Sequence, residues 1–131
     1  MKKIGILNKD ISEVIAGMGH TDMLVVADAG LPIPPGVQRI DLAVRKGLPG
    51  FLETVEAILG ELQLERIIIA EEMRAVSPHI WDRLTQIAAG AEVEMVSHAQ
   101  FKELTCGAAA VVRTGEFTPY ANVILVSGVV F

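Results

Sequence analysis

The 131-residue chain contains a single cysteine, Cys106, so no disulfide can form within it, and a reducing compartment, the cytoplasm, is the expected setting. Lys and Arg number only eleven, scattered singly or in pairs, and the formal net charge is −5. Without a basic stripe to track a phosphate backbone, nucleic acid is not expected as a partner. No apolar run approaches the length of a membrane span. The basic start Met1-Lys2-Lys3 leads into an apolar stretch too short for a signal peptide, which Asn8 and Asp10 interrupt. The chain has no histidine pair at metal-ligand spacing, no Gly-x-Gly-x-x-Gly and no Gly-x-x-x-x-Gly-Lys, so neither a metal nor a cofactor is indicated. Linkers, internal repeats and low-complexity tracts are also missing.

Apolar residues make up 51% of the chain and charged residues 21%, a balance that folds rather than stays disordered. The length suits one domain over residues 1–131 with a real hydrophobic core. The chain closes on Val123-Ile124-Leu125-Val126-Ser127-Gly128-Val129-Val130-Phe131. That is more apolar surface than a small monomer hides, and it predicts burial against other subunits of a homo-oligomer.

Apolar runs and punctuation predict the elements. A helix over about Ile11–Met18 can be capped by Asn8 or Asp10, and Gly19 offers a left-handed residue to end it. Met23–Ala27 reads as a strand buried on both faces, with Asp28 at its carboxyl end. A helix over Phe51 to about Leu62, a strand Arg66–Ala70 and a helix opened by Ser77 as cap and Pro78 at its first position follow. The remainder reads as strand Val93–Val96, a short helix over about Ala99–Leu104, strand Ala109–Val112 and a last strand from about Val123. This alternation predicts a layered α/β fold with a largely parallel central sheet flanked by helices. Ligands of such sheets sit beyond the carboxyl ends of the strands, which draws attention to Asp28 and to the loops after Val96 and Val112.

Several side chains could carry chemistry, each with a structural reading beside it. His20, in Gly19-His20-Thr21-Asp22, follows a helix end whose dipole favours an imidazolium; it reads equally as an acid or as a cap for the helix carbonyls. Asp28 could bind loop amides, a histidine or a substrate hydroxyl, or simply cap a turn. His98 could bind a ligand or start a helix, with Lys102 one turn further along the same face. The stretch Thr114-Gly115-Glu116-Phe117-Thr118-Pro119-Tyr120-Ala121-Asn122 combines an aromatic ring, an amide and hydroxyls, the mixture a sugar site uses, although a Tyr beside Pro is also a packing anchor. Cys106, with no histidine nearby in sequence, reads as a buried thiol rather than a nucleophile. His79 and Trp81 read as the surface and packing face of a helix.

Taken together, Gly5-Ile6-Leu7-Asn8, Gly19-His20-Thr21-Asp22, Ala27-Asp28-Ala29-Gly30-Leu31-Pro32-Ile33-Pro34, Ile40-Asp41-Leu42 and the closing Arg113–Asn122 segment resemble the ribose and fucose mutarotases along essentially the whole chain. The Ala29-Gly30-Leu31-Pro32 loop is of the ribose, D-ribose pyranase type. The resemblance implies an isomerase that interconverts β-pyranose and β-furanose D-ribose ahead of ribose phosphorylation, needs no cofactor, and works as a ring-shaped homo-oligomer, typically a decamer, with sites between subunits. It further implies His20 as proton donor, and Asp28, His98, Tyr120, Ala121 and Asn122 as sugar-binding positions, with Lys102 a weaker candidate. Opening and reclosing a hemiacetal requires only proton transfers, each typically worth about 10²- to 10⁴-fold when well placed. A non-catalytic ribose-binding accessory protein of a transporter would need the same pocket without a proton donor, and a structural scaffold would need neither.

Overall fold

The structure, a computed structural model, describes residues 1–131. In chain order the elements are α1 (Lys9–Gly17), β1 (Met23–Ala27), β2 (Gln38–Asp41), α2 (Phe51–Leu59), β3 (Leu64–Ala70), α3 (Glu71–Val76), α4 (Pro78–Ile87), β4 (Glu92–Val96), α5 (His98–Leu104), β5 (Ala110–Arg113) and β6 (Val123–Ser127). All six strands form one sheet in the order β2-β5-β1-β6-β3-β4. The pairs β1/β5, β2/β5 and β3/β4 are parallel, while β6 runs antiparallel to both β1 and β3. Five strands therefore point one way, and only β6 points back between them.

Alternation along the strands divides the core between the two faces of the sheet. On one face Leu24, Val26, Ile67, Ile69, Val112 and Leu125 meet residues of α1, α2 and α4, among them Ile11, Phe51, Val55, Ile58 and Leu84. On the other, Val25, Ile68, Val111, Ile124 and Val126 pack under Phe101 of α5 and the loop bearing Leu31, Ile33 and Val37. The central strands β1, β5 and β6 are thus apolar on both sides, the reason their sequences read as unbroken apolar runs.

Some local expectations are corrected. The α1 helix is capped by Asn8, whose Oδ1 accepts the Ile11 amide at 2.9 Å. It ends at Gly17, and the left-handed residue that follows is Thr21 (φ 70°), not Gly19. Gly19 instead donates its amide to Asp22 Oδ2 (2.8 Å), and the Thr21 amide is taken by the Ser127 carbonyl (2.9 Å). The second helix stops at Leu59, before Leu62. Ser77 sits at the cap position of α4 but donates its hydroxyl to the Pro119 carbonyl (2.7 Å), tying the helix start to the Thr114–Asn122 loop. Cys106 is exposed rather than buried. His79 is exposed and Trp81 half-buried against the α4 side of the core, as expected.

Two elements carry no signal in the sequence. The edge strand β2 buries only Ile40 among Gln38, Arg39 and Asp41, and α3 follows β3 directly with no side-chain cap.

Candidate functional site

Because β6 alone is reversed, the carboxyl ends of β1, β4 and β5 and the start of β6 lie on one edge of the sheet. That edge gathers Asp28, His98 and the Thr114–Asn122 loop.

Asp28 is held by Asn122. The Asp28 amide donates to Asn122 Oδ1 (2.8 Å), and Asn122 Nδ2 donates to Asp28 Oδ2 (2.9 Å). The Gly30 amide donates to the other carboxylate oxygen (2.9 Å). Asn122 is 1% exposed, so it acts on the site through Asp28. Replacing Asn122 with alanine leaves the buried end of this clamp unpaired and is expected to destabilise the fold by about 1–3 kcal/mol, read from the denaturant midpoint.

His98 begins α5, where Ser97 is the cap: its Oγ accepts the Gln100 amide (3.1 Å). The His98 amide points to the Glu72 carboxylate (3.1 Å), the imidazole meets the Tyr120 ring edge-on at 5.1 Å, and its buried Nδ1 has no partner. Tyr120 has a left-handed backbone (φ 61°), and its carbonyl accepts the Asn122 amide (2.8 Å). For a tyrosine this conformation costs about 1–3 kcal/mol and survives only where the surroundings enforce it, as they often do at functional sites. The Ala121 side chain is buried in the core and its amide reaches the Thr118 carbonyl (3.3 Å). Lys102 is exposed on α5.

Two adjoining clefts, of about 420 and 290 Å³, share Asp28, Gly30 and Pro119; Arg113 and Phe117 extend the first, His98 and Tyr120 the second. The loop between them is secured at both ends. Gly115 lies so close to the Arg45–Leu48 backbone that an added Cβ would come within 2.8 Å of the Leu48 nitrogen and oxygen. Arg113 donates to Asp41 (3.1 Å) and to the Ala29 carbonyl (3.0 Å), fixing the strand end beside Asp28.

Glu116 is the loop's internal anchor. Burial pushes its carboxyl upward, but the Phe51 amide (3.1 Å), the Thr118 hydroxyl (2.8 Å) and the Thr118 and Phe117 amides outweigh that and hold it below the usual glutamate range. A depressed carboxyl stabilises the fold above its unfolded value, and the contribution is lost as pH falls through the folded one. Thermal unfolding followed from neutral pH into the acid range should therefore show a shallower acid loss in Glu116→Gln than in the wild type.

His20 lies elsewhere. It precedes β1, whereas Asp28 follows it, and five strand residues separate the two by roughly 17 Å along the sheet. His20 Nε2 is 2.6 Å from Glu65 Oε2, so the ring serves neither as a cap for α1 nor as a partner for Asp28. It opens onto a cleft of about 450 Å³ with Met18, Gly128 and the exposed Val130 and Phe131. The structure thus brings Asp28, His98, Tyr120, Ala121 and Asn122 together and keeps His20 apart. Sequence reasoning passed over Glu65, Glu72, Arg113 and Glu116; the charges are visible in the chain, but the partners that place them lie 26 to 84 residues away.

The pattern that defines the RbsD / FucU transport protein family matches residues 1–130. A D-ribose pyranase of Laribacter hongkongensis is 56% identical to this chain over 131 residues, all of both chains. The structure of Bacillus subtilis RbsD complexed with D-ribose superposes with a TM-score of 0.97 at 48% identity, again over the whole of both chains. FucU from Bifidobacterium longum matches with a TM-score of 0.82 at 27% identity, covering 95% of this chain and 97% of that one.

Proposed function

Because the chain belongs to the RbsD / FucU transport protein family, we propose that it is a D-ribose pyranase, an isomerase that interconverts the β-pyranose and β-furanose forms of free D-ribose and so supplies furanose for phosphorylation. The observation that carries this reading is the Asp28, His98 and Tyr120 cluster at the carboxyl edge of the sheet, in a chain alike to D-ribose pyranases from end to end.

The chemistry needs only proton transfers, to which this cluster and His20 are suited. Pyranose opens when the ring oxygen receives a proton as its bond to the anomeric carbon breaks, while the anomeric hydroxyl loses one and becomes the aldehyde carbonyl. The aldehyde then closes through the hydroxyl one carbon nearer, which gives up its proton as the carbonyl oxygen regains one. His20 donates to the ring oxygen. Asp28 and His98 are the two groups of the cluster able to take the anomeric proton. Tyr120, with the backbone at Ala121, holds hydroxyls, and Asn122 keeps the Asp28 carboxylate turned toward the sugar.

His20 can reach that sugar only from another copy of the chain, since β1 stands between the two halves within one copy. The reading therefore requires a homo-oligomer, a decamer in the form the family resemblance implies, with His20 of one subunit entering the Asp28 end of its neighbour. Exposed apolar residues at both ends support this: Val130 (84%) and Phe131 (101%) beside His20, and Phe117 (61%) beside Asp28. No helix is long and apolar enough to cross a membrane, and a cytoplasmic enzyme acting on imported ribose fits the reading.

Exchange NMR on D-ribose tests it. The protein is expected to speed pyranose–furanose interconversion; ribose binding with no acceleration would instead favour a ribose-binding accessory protein of a transport system.

A further inference from the structure

Glu65 has one polar partner in the chain, the imidazole of His20. The neighbouring cation on its strand, Arg66, is engaged by Glu94 at 3.1 Å. We propose that Glu65 is a positioning residue for His20: its carboxylate accepts the Nε2–H and leaves Nδ1 as the nitrogen that exchanges the substrate proton. The inference rests on the pyranase reading for its catalytic half, and on geometry alone for the contact.

Three features of the backbone converge on this pair. First, the β3/β6 ladder slips at Glu65. Leu64 pairs with Ser127 and Arg66 with Val126, so Glu65 is the extra residue of a bulge, the device that re-aims a side chain beside a site. Second, the tail after β6 is pressed against it. A Cβ on Gly128 would lie 3.2 Å from Glu65 Cβ and 3.4 Å from its nitrogen, while the Gly128 amide donates to the Gln63 carbonyl (2.8 Å). Third, His20 sits in a turn whose next residue, β-branched Thr21, is left-handed. Ser127 clamps that turn by exchanging backbone hydrogen bonds with Thr21 and Asp22, both 2.9 Å, and its hydroxyl donates to the Gly19 carbonyl.

Stability does not account for this arrangement. The side chains of His20 and Glu65 are 52% and 44% exposed, and ion pairs in that position contribute little to folding. A carboxylate on one imidazole nitrogen does something else: it fixes the tautomer and the ring orientation, and so decides which nitrogen meets the substrate. A ring free to turn would present either nitrogen and lose the alignment that proton transfer needs.

The test compares wild type, Glu65→Ala and Glu65→Gln in two measurements, with thermal midpoint and oligomer size as controls for folding. The first is the nitrogen spectrum of the His20 ring in ¹⁵N-labelled protein at a pH where the ring is neutral. Wild type should show one Nε2–H form; in Glu65→Ala the two nitrogen shifts should move toward each other, and Glu65→Gln, which keeps an acceptor, should restore them in large part. The second is pyranose–furanose exchange at saturating D-ribose, expected to fall about 10- to 100-fold in Glu65→Ala with ribose affinity unchanged, and to recover mostly in Glu65→Gln. A Glu65→Ala variant with wild-type nitrogen shifts, or with a wild-type exchange rate, overturns the proposal. A wild type that leaves exchange unaccelerated overturns the pyranase reading and the catalytic use of the pair with it, and the nitrogen spectrum still reports whether the contact exists.

Discussion

His20→Ala is expected to lower the acceleration of D-ribose pyranose–furanose exchange by about 10²- to 10⁴-fold, the usual contribution of one well-placed proton donor. The side chain is 52% exposed and outside the core, so the variant should fold with its thermal midpoint little changed. Ribose affinity should change much less than the rate, because the proposed sugar-binding cluster of Asp28, His98 and Tyr120 lies at the other end of β1. Exchange NMR at saturating ribose separates the two effects. Full activity in His20→Ala would remove this residue from the mechanism.

The second large effect concerns the proposed division of the site between subunits. His20→Ala and Asp28→Asn should each be nearly inactive alone, the second because an amide cannot take the anomeric proton or repeat the carboxylate's grip. When the two are unfolded together and refolded as mixed oligomers, activity should return. A site that draws His20 from one subunit and Asp28 from its neighbour is intact when a wild-type half meets a wild-type half, one half times one half, or about a quarter of all sites at equal mixing. Were both residues of one site supplied by the same copy, no mixture could restore it. The measurement is the exchange rate of the mixture against each parent, and an inactive mixture would sink the shared-site assignment. The assignment is motivated by distance: no side-chain rotation spans roughly 17 Å of strand.

Legibility of the fold followed burial. Strands β1 and β6 and the Ile67–Ala70 part of β3 stand in the sequence because both of their faces are covered, which makes them apolar runs. The edge strand β2 has one buried residue in four and reads as loop, and α3 begins directly where β3 ends, with no punctuation between them. Cys106 was misjudged because burial of a short residue beyond the end of α5 depends on the path of the chain there, which nothing local to Thr105-Cys106-Gly107 records.

The site was legible in part for the same kind of reason. Asp28, at the end of an apolar strand, needed a polar partner, and this much the sequence established; that the partner is Asn122, 94 residues on, follows only from β6 lying beside β1. The composition, the strand order along the chain, the residue types able to move a proton and the likeness to the ribose and fucose mutarotases were all fixed by the sequence itself. What tertiary structure alone decided is which of those residues meet. One reversed strand puts the start of β6 next to Asp28 and its end next to His20, so the same pairing that builds the Asp28 cluster at one edge of the sheet carries His20, with Glu65, to the opposite edge.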